Sequence, residues 1–171
     1  MIETERLILR LPTLEDLDDI QAVYGDANVM RYITGKASTR AESLSRLLRT
    51  VGHWQLFGYG FLAVFERVTG RYLGDAGLGR FERGLGGDFD GYDETGWVFG
   101  PWAHGHGYAI EAMTAAHAWY CRTLGPRRTV CIISPDHERS MRVAEKLGYK
   151  PFDDRKFPGT DDTVRLFERL P

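Results

Sequence analysis

Cysteine is scarce in this chain. Cys121 and Cys131 are the only two, too few for a disulfide scaffold, and both read as free thiols. Long apolar runs are missing as well. The longest clearly apolar stretch, Phe61 to Phe65, falls far short of the roughly 18 residues that cross a bilayer. The opening Met1-Ile2-Glu3-Thr4-Glu5-Arg6 places acids where a signal peptide needs a basic segment and then an apolar one. Charge of one sign is not in excess: 22 basic against 24 acidic residues leave −2, which argues against a large electrostatic footprint for nucleic acid. Lysine is rare, 4 residues against 18 Arg, a skew that a GC-rich genome explains as readily as a function does. No repeat, low-complexity tract or linker divides the chain. These absences predict an intracellular, soluble, cytoplasmic protein with no nucleic-acid or membrane partner. What remains is globular: 171 residues, 43% hydrophobic and 12% aromatic, enough core for one domain but not for two.

The pattern along the chain predicts one strand, two helices, three strands, a helix, a strand, a helix and two strands. Arg6–Leu11 alternates weakly and stops at Pro12. Thr13 with Asp16 three residues on resembles a capping box, and Leu14, Leu17, Ile20 and Tyr24 follow at helical spacing. A second helix is expected over Glu42–Phe57, with Leu44, Leu47, Leu48 and Val51 as its apolar face. Tyr59–Phe65 and Tyr72–Leu78 read as a hairpin around Arg67-Val68-Thr69-Gly70. A Gly- and Asp-rich loop near 84–91 leads to a strand at Glu94–Phe99, which ends at Gly100-Pro101. The longest helical pattern runs from about Gly105 to Leu124 along Ala109, Met113, Ala116, Tyr120 and Leu124. A β-rich run at Arg128–Ile133, a short helix at Arg139–Leu147 closed by Gly148, and strands at Tyr149–Phe152 and Thr163–Leu170 complete the order. This is a mixed α/β domain, one sheet with helices on both faces.

One loop carries a chemical signal. Trp102-Ala103-His104-Gly105-His106-Gly107-Tyr108-Ala109 joins a strand to the start of the longest helix. Its two glycines permit a sharp turn and a close approach of ligand. Free amides at a helix start, backed by the helix dipole, favour an anion. No acid lies between Trp97 and Ile110. A glycine-bearing turn without a ligand fits the loop equally well when it is taken alone. A dinucleotide fingerprint fails at Ile110, where Gly or Ala is required. A triphosphate loop fails at Gly35-Lys36-Ala37. His104 and His106 lack a nearby third ligand, so no metal is expected.

At this point the residues resemble a known family. Glu94-Thr95-Gly96-Trp97-Val98-Phe99 followed by His104-Gly105-His106-Gly107-Tyr108-Ala109-Ile110-Glu111-Ala112 looks like the acetyl-CoA-binding core of the GNAT superfamily of N-acetyltransferases. Ser140-Met141-Arg142-Val143-Ala144-Glu145-Lys146-Leu147-Gly148-Tyr149 is similar to the family's second motif. Thr4-Glu5-Arg6-Leu7-Ile8-Leu9-Arg10 resembles the start of the ribosomal-protein N-terminal acetyltransferase branch, the RimJ/RimL type. The resemblance spans essentially the whole chain and implies a single N-acetyltransferase domain over residues 1–171. It implies a splayed, mostly antiparallel sheet that opens between the strands at Glu94–Phe99 and Arg128–Ile133, with acetyl-CoA as co-substrate in the opening. Pantetheine would pair with the backbone edge at Val98 and Phe99. The pyrophosphate would sit on the amides of His104, Gly105, His106, Gly107, Tyr108 and Ala109. There are departures: His104 stands where the family carries Arg or Gln, and His137 where a pantetheine-contacting Asn is usual. Ala144 replaces a Tyr acid and removes it.

The implied reaction is direct transfer of acetyl to a primary amine, either a protein N-terminus or a small molecule. A neutral amine, hydrogen-bond donors and a proton for the leaving thiolate are needed. Glu94 is the candidate base and Ser140 the candidate donor to the thiolate. Tyr108 reads as packing near the cofactor. The acids at Asp88, Asp90, Asp93 and Glu94 would draw a cationic amine. A non-catalytic acetyl-CoA sensor or interaction module is the alternative, and a thiol-dependent acyltransferase built on Cys131 is a third reading. The sequence favours neither a monomer nor a homodimer.

Overall fold

A computed structural model describes residues 1–171. One eight-stranded sheet organises the chain. Its strands are β1 (Ile2–Glu3), β2 (Leu7–Arg10), β3 (Phe61–Glu66), β4 (Tyr72–Gly79), β5 (Asp93–Phe99), β6 (Thr129–Ile133), β7 (Lys150–Lys156) and β8 (Thr163–Arg169). They lie in the order β1-β2-β3-β4-β5-β6-β8-β7. Every pair is antiparallel except β5 with β6. That parallel pair is joined only at Asp93–Thr129 and Glu94–Val130. Beyond Glu94 the two strands part, and a wedge opens in the middle of the sheet.

The helices are α1 (Leu17–Tyr24), α2 (Ala27–Met30), α3 (Arg40–Phe57), α4 (Tyr108–Leu124) and α5 (Glu138–Lys146). They cover both faces, because side chains alternate along each strand. Leu62, Val64, Leu73 and Phe99 pack with Met113, Ala116 and Tyr120 of α4, and Ala144 of α5 joins them. On the opposite face Ala63, Phe65 and Tyr72 pack with Ile20 and Tyr24 of α1, Met30 of α2 and Leu47 of α3. Val98 of β5 packs on this second face. No helix is long and apolar enough to cross a membrane.

Several boundaries differ from the sequence expectation for local reasons. Thr13 and Asp16 do form a capping box, around a single 3-10 turn at Leu14–Asp16 that precedes α1. α3 begins at Arg40, because Thr39 caps it in a reciprocal box with Glu42. Leu48 is 60% exposed and lies off the buried stripe formed by Leu44, Leu47 and Val51. α4 starts at Tyr108 rather than Gly105, because Gly105 and Gly107 have φ of +81° and +78°, which no right-handed helix accommodates. The short β1 and α2 carry too few residues to show a period.

Candidate active site

The wedge is bounded on one side by β5. The Gly100 N–H donates to the Leu73 carbonyl of β4, and the β4–β5 register runs unbroken from Glu94 to Phe99. Backbone groups alternate between the two edges of a strand. Those of Glu94, Gly96 and Val98 therefore belong to the β4 ladder, while those of Trp97 and Phe99 face the wedge. This corrects the sequence expectation for Val98: the free edge is offered by Trp97 and Phe99. The Phe99 carbonyl is already covered, since His104 Nε2–H donates to it at 3.0 Å.

The glycine loop that follows has the form of an anion cradle. No protein group accepts a hydrogen bond from the amides of residues 105–110, and the first helical bond of α4 runs from the Glu111 amide to the Gly107 carbonyl. α4 has no side-chain cap at Gly107, so its start remains open to an anion. A Cβ at Gly105 would meet nothing within 4 Å; that space lies free above the loop.

Two residues outside the sequence-predicted set hold this loop. Arg6 donates from Nη1 to the His106 carbonyl at 3.0 Å and from Nε to Glu111 at 2.7 Å. Its guanidinium also lies 4.9 Å from the Tyr108 ring centre. Glu111, the first acid after the loop, accepts from Thr4 Oγ1, the Arg6 amide and the Arg6 side chain. Burial pushes its pKa up, but those bonds outweigh burial and hold it below the usual carboxylate range. Its charge is thus tied to the Thr4–Arg6 segment. His106 stacks on Tyr108 with centroids 5.5 Å apart, and the Tyr108 hydroxyl donates to Glu66 at 2.6 Å. Tyr108 thus contacts Glu66, His106 and Arg6.

Glu94 and Ser140 belong to opposite faces of the sheet. Alternation along β5 puts Glu94 on the same face as Val98, with α1 and α3. Glu94 is 6% exposed and forms a two-point ion pair with Arg83 Nε and Nη2, the latter at 2.7 Å. Burial raises its pKa, and Arg83 partly offsets that rise. Arg83 sits in the Gly-rich loop, and no sequence signal marks it. Ser140 lies in the first turn of α5, which packs on the α4 face. His137 caps α5 by accepting from the Ser140 amide at 3.2 Å, and its ring meets Tyr32 at 4.4 Å. The Ser140 hydroxyl itself has no hydrogen-bond partner in the protein.

The acids that were expected to draw a cationic amine are already engaged. Asp88 pairs with Arg155 through both oxygens. Asp90 accepts from the amides of Arg83, Gly84 and Gly86 and shapes the loop. Asp93 is buried and accepts from the hydroxyls of Tyr59 and Tyr120. Glu94 is paired with Arg83. Cys131 is buried in β6, and burial pushes its thiol pKa well up; a thiol so held makes a poor nucleophile. At the closed end of the wedge the Tyr149 hydroxyl joins Thr95 of β5, Thr129 of β6 and His117 of α4, at 2.5, 2.6 and 3.2 Å.

A sheet split between two parallel strands, with an open amide cradle at the helix start beyond the split, defines a class of acyl-group transferase. Comparison with known proteins agrees. The sequence model of the GNAT acetyltransferase domain matches residues 6–150, and the chain belongs to that family: it is an N-acetyltransferase. It is 25% identical over 149 residues to the uncharacterized N-acetyltransferase YnaD of Bacillus subtilis, which covers 87% of this chain and 82% of that one. A solved structure assigned to the GNAT-family acetyltransferases, from Bordetella pertussis, is 29% identical, with a TM-score of 0.86 over 99% of this chain and 98% of that one. RimL, a ribosomal L7/L12 alpha-N-protein acetyltransferase solved with coenzyme A, shares the fold at 16% identity, with a TM-score of 0.79 over 98% and 95%.

Proposed function

We propose that this chain, acting as one domain, moves acetyl from acetyl-CoA to a primary amine by direct attack, with both substrates bound together. The observation that carries this reading is the run of unbonded amides from Gly105 to Ile110 beside the free β5 edge. The thioester, when bound, supplies the activated acetyl group. The amides of residues 105–110 hold the pyrophosphate, and Arg6 keeps their loop in shape. Backbone groups of Trp97 and Phe99 line the path of the pantetheine, with His104 narrowing the Phe99 end. Glu94 accepts a proton from the incoming ammonium on the α3 face, directly or through water. Ser140 gives a hydrogen bond to the departing sulfur on the α5 face. The two groups stand on opposite faces of the sheet, so the proton taken from the amine and the hydrogen bond given to the sulfur come from separate residues. A protein N-terminus or a small amine both fit as acceptors.

Acetyl-CoA should therefore raise the melting temperature. A ligand at about a hundredfold over its Kd stabilises by roughly 2.7 kcal/mol, some 5–10 °C for a chain of this size. Gly107→Glu puts an acid beside the cradle, its Cβ 3.7 Å from Arg6 Nη2, and should abolish the shift. No shift in the wild type ends the cofactor assignment, and equal shifts in both proteins end the loop assignment. Release of free thiol on adding amines tests the transfer itself.

A further inference from the structure

A cavity of about 250 Å³ lies between the 34–38 segment and the first half of α3. No apolar side chain lines it. Its walls carry three cations, Lys36, Arg46 and Arg49, against one acid, Glu42. Glu42 is already engaged: it accepts from the Thr39 amide and hydroxyl at the start of α3 and lies 3.9 Å from Lys36. Arg46 and Arg49 have no carboxylate partner. The Arg46 guanidinium stacks 4.0 Å over the Tyr24 ring, and its Nε is buried without an acceptor. Asp75, behind Tyr24, has both oxygens occupied by Tyr24 and Tyr72 hydroxyls. Two cations converging on a polar hollow, one with a buried donor to spare, form a site for an anion.

The cavity also has a definite place relative to the wedge. α3 lies on the face that Glu94 occupies. Arg83, the partner of Glu94, is one of the charges that lower the pKa of Arg49, after burial and Arg46, so the two guanidinium groups share one field. The loop that supplies Lys36 begins at Arg31 and touches the cap of α5 through Tyr32 and His137. The cavity therefore lies on the α1–α3 side of the sheet, the face that Glu94 occupies.

We propose that the Lys36–Arg46–Arg49 cavity is an acceptor subsite that holds an anionic group, so that the amine acetylated by this protein also carries a carboxylate or a phosphate and is not a polyamine. This rests on the acetyl-transfer reading. Asp88, paired with Arg155, and Glu94, paired with Arg83, are not free to hold a polycation.

Matched acceptors test it: glutamate against glutamine, phosphoserine against serine, and spermidine as the cationic control, each with acetyl-CoA and free-thiol detection. The anionic member of at least one pair should exceed its neutral isostere at least tenfold in kcat/KM. The pair that responds tells carboxylate from phosphate. Arg49→Gln and Arg46→Gln should each shrink that ratio severalfold through the acceptor KM, and Arg46→Lys should retain most of it. Thermal midpoints of the variants establish that they fold. Equal use of neutral and anionic members, a preference for spermidine, or a ratio that survives both glutamine substitutions overturns the subsite while leaving acetyl transfer intact. No turnover of any amine overturns both.

Discussion

The roles proposed for Glu94 and Ser140 predict different pH dependence in their variants, which makes them separable. Glu94→Gln should lower kcat at least about tenfold, at the low end of what a positioned base supplies, with acetyl-CoA affinity nearly unchanged. The deficit should shrink at high pH, where the amine is already neutral. In the wild type, burial raises the pKa of Glu94, so the acid limb of the rate profile should lie above that of an ordinary glutamate. Ser140→Ala should also lower kcat, but without rescue at high pH, because protonating the leaving group becomes harder. Rate profiles of both variants decide between these roles; exchanged patterns would exchange the assignments. Glu94 and Ser140 could be picked out because motif and spacing carried them. Arg83 could not, since it reaches Glu94 from a loop whose fold is set by Asp90 accepting three amides, an arrangement without a linear signature. Arg6 was visible as part of an opening motif, but its bond to His106, a hundred residues away, was not. The reading of Val98 failed because strand parity depends on the β4 register, which spacing alone does not fix.

At the scale of elements, the Tyr149 hydroxyl pins three of them where the sheet divides. Tyr149→Phe would leave Thr95, Thr129 and His117 short of a partner in the interior, and each orphaned buried group costs about 1–3 kcal/mol. A loss of about 2 kcal/mol or more is expected, seen as a fall in Tm of roughly 4–8 °C. His117 adds a pH dependence to the same junction. Burial, reinforced by Arg169, lowers its pKa to about 4, below the ordinary value near 6.5. The unfolded chain thus binds the proton more readily, and His117 favours folding above pH 6.5 and progressively less as pH falls toward 4. Between pH 7 and 5 that amounts to about 2 kcal/mol, and His117→Gln should flatten this part of the stability profile. The periodic elements were legible: α3, α4, the β3–β4 hairpin and β5 follow the apolar pattern closely. The start of α4 was misplaced because its glycines look compatible with a helix until their left-handed φ is known. β7 runs on to Lys156 through charged residues, held by pairing with β8 rather than by its own pattern.

For the whole molecule, a single mixed sheet with helices on both faces followed from the sequence, while β1, α2 and the extent of the split did not, the last because it depends on β5 and β6 pairing at two positions only. The same split leaves a pair of bare strand edges in the interior of the sheet. Exposed edges recruit other strands and lead to aggregation. Here the His104 side chain covers the Phe99 carbonyl and removes one acceptor from that edge. If acetyl-CoA fills the split as proposed, it covers these edges during folding as well as in the reaction. Refolding from denaturant with acetyl-CoA present should scatter less light and return more active protein than refolding without it, and His104→Ala, which uncovers the carbonyl, should widen the difference. Equal scattering in all four conditions would show that the wedge is closed to foreign strands by its shape alone.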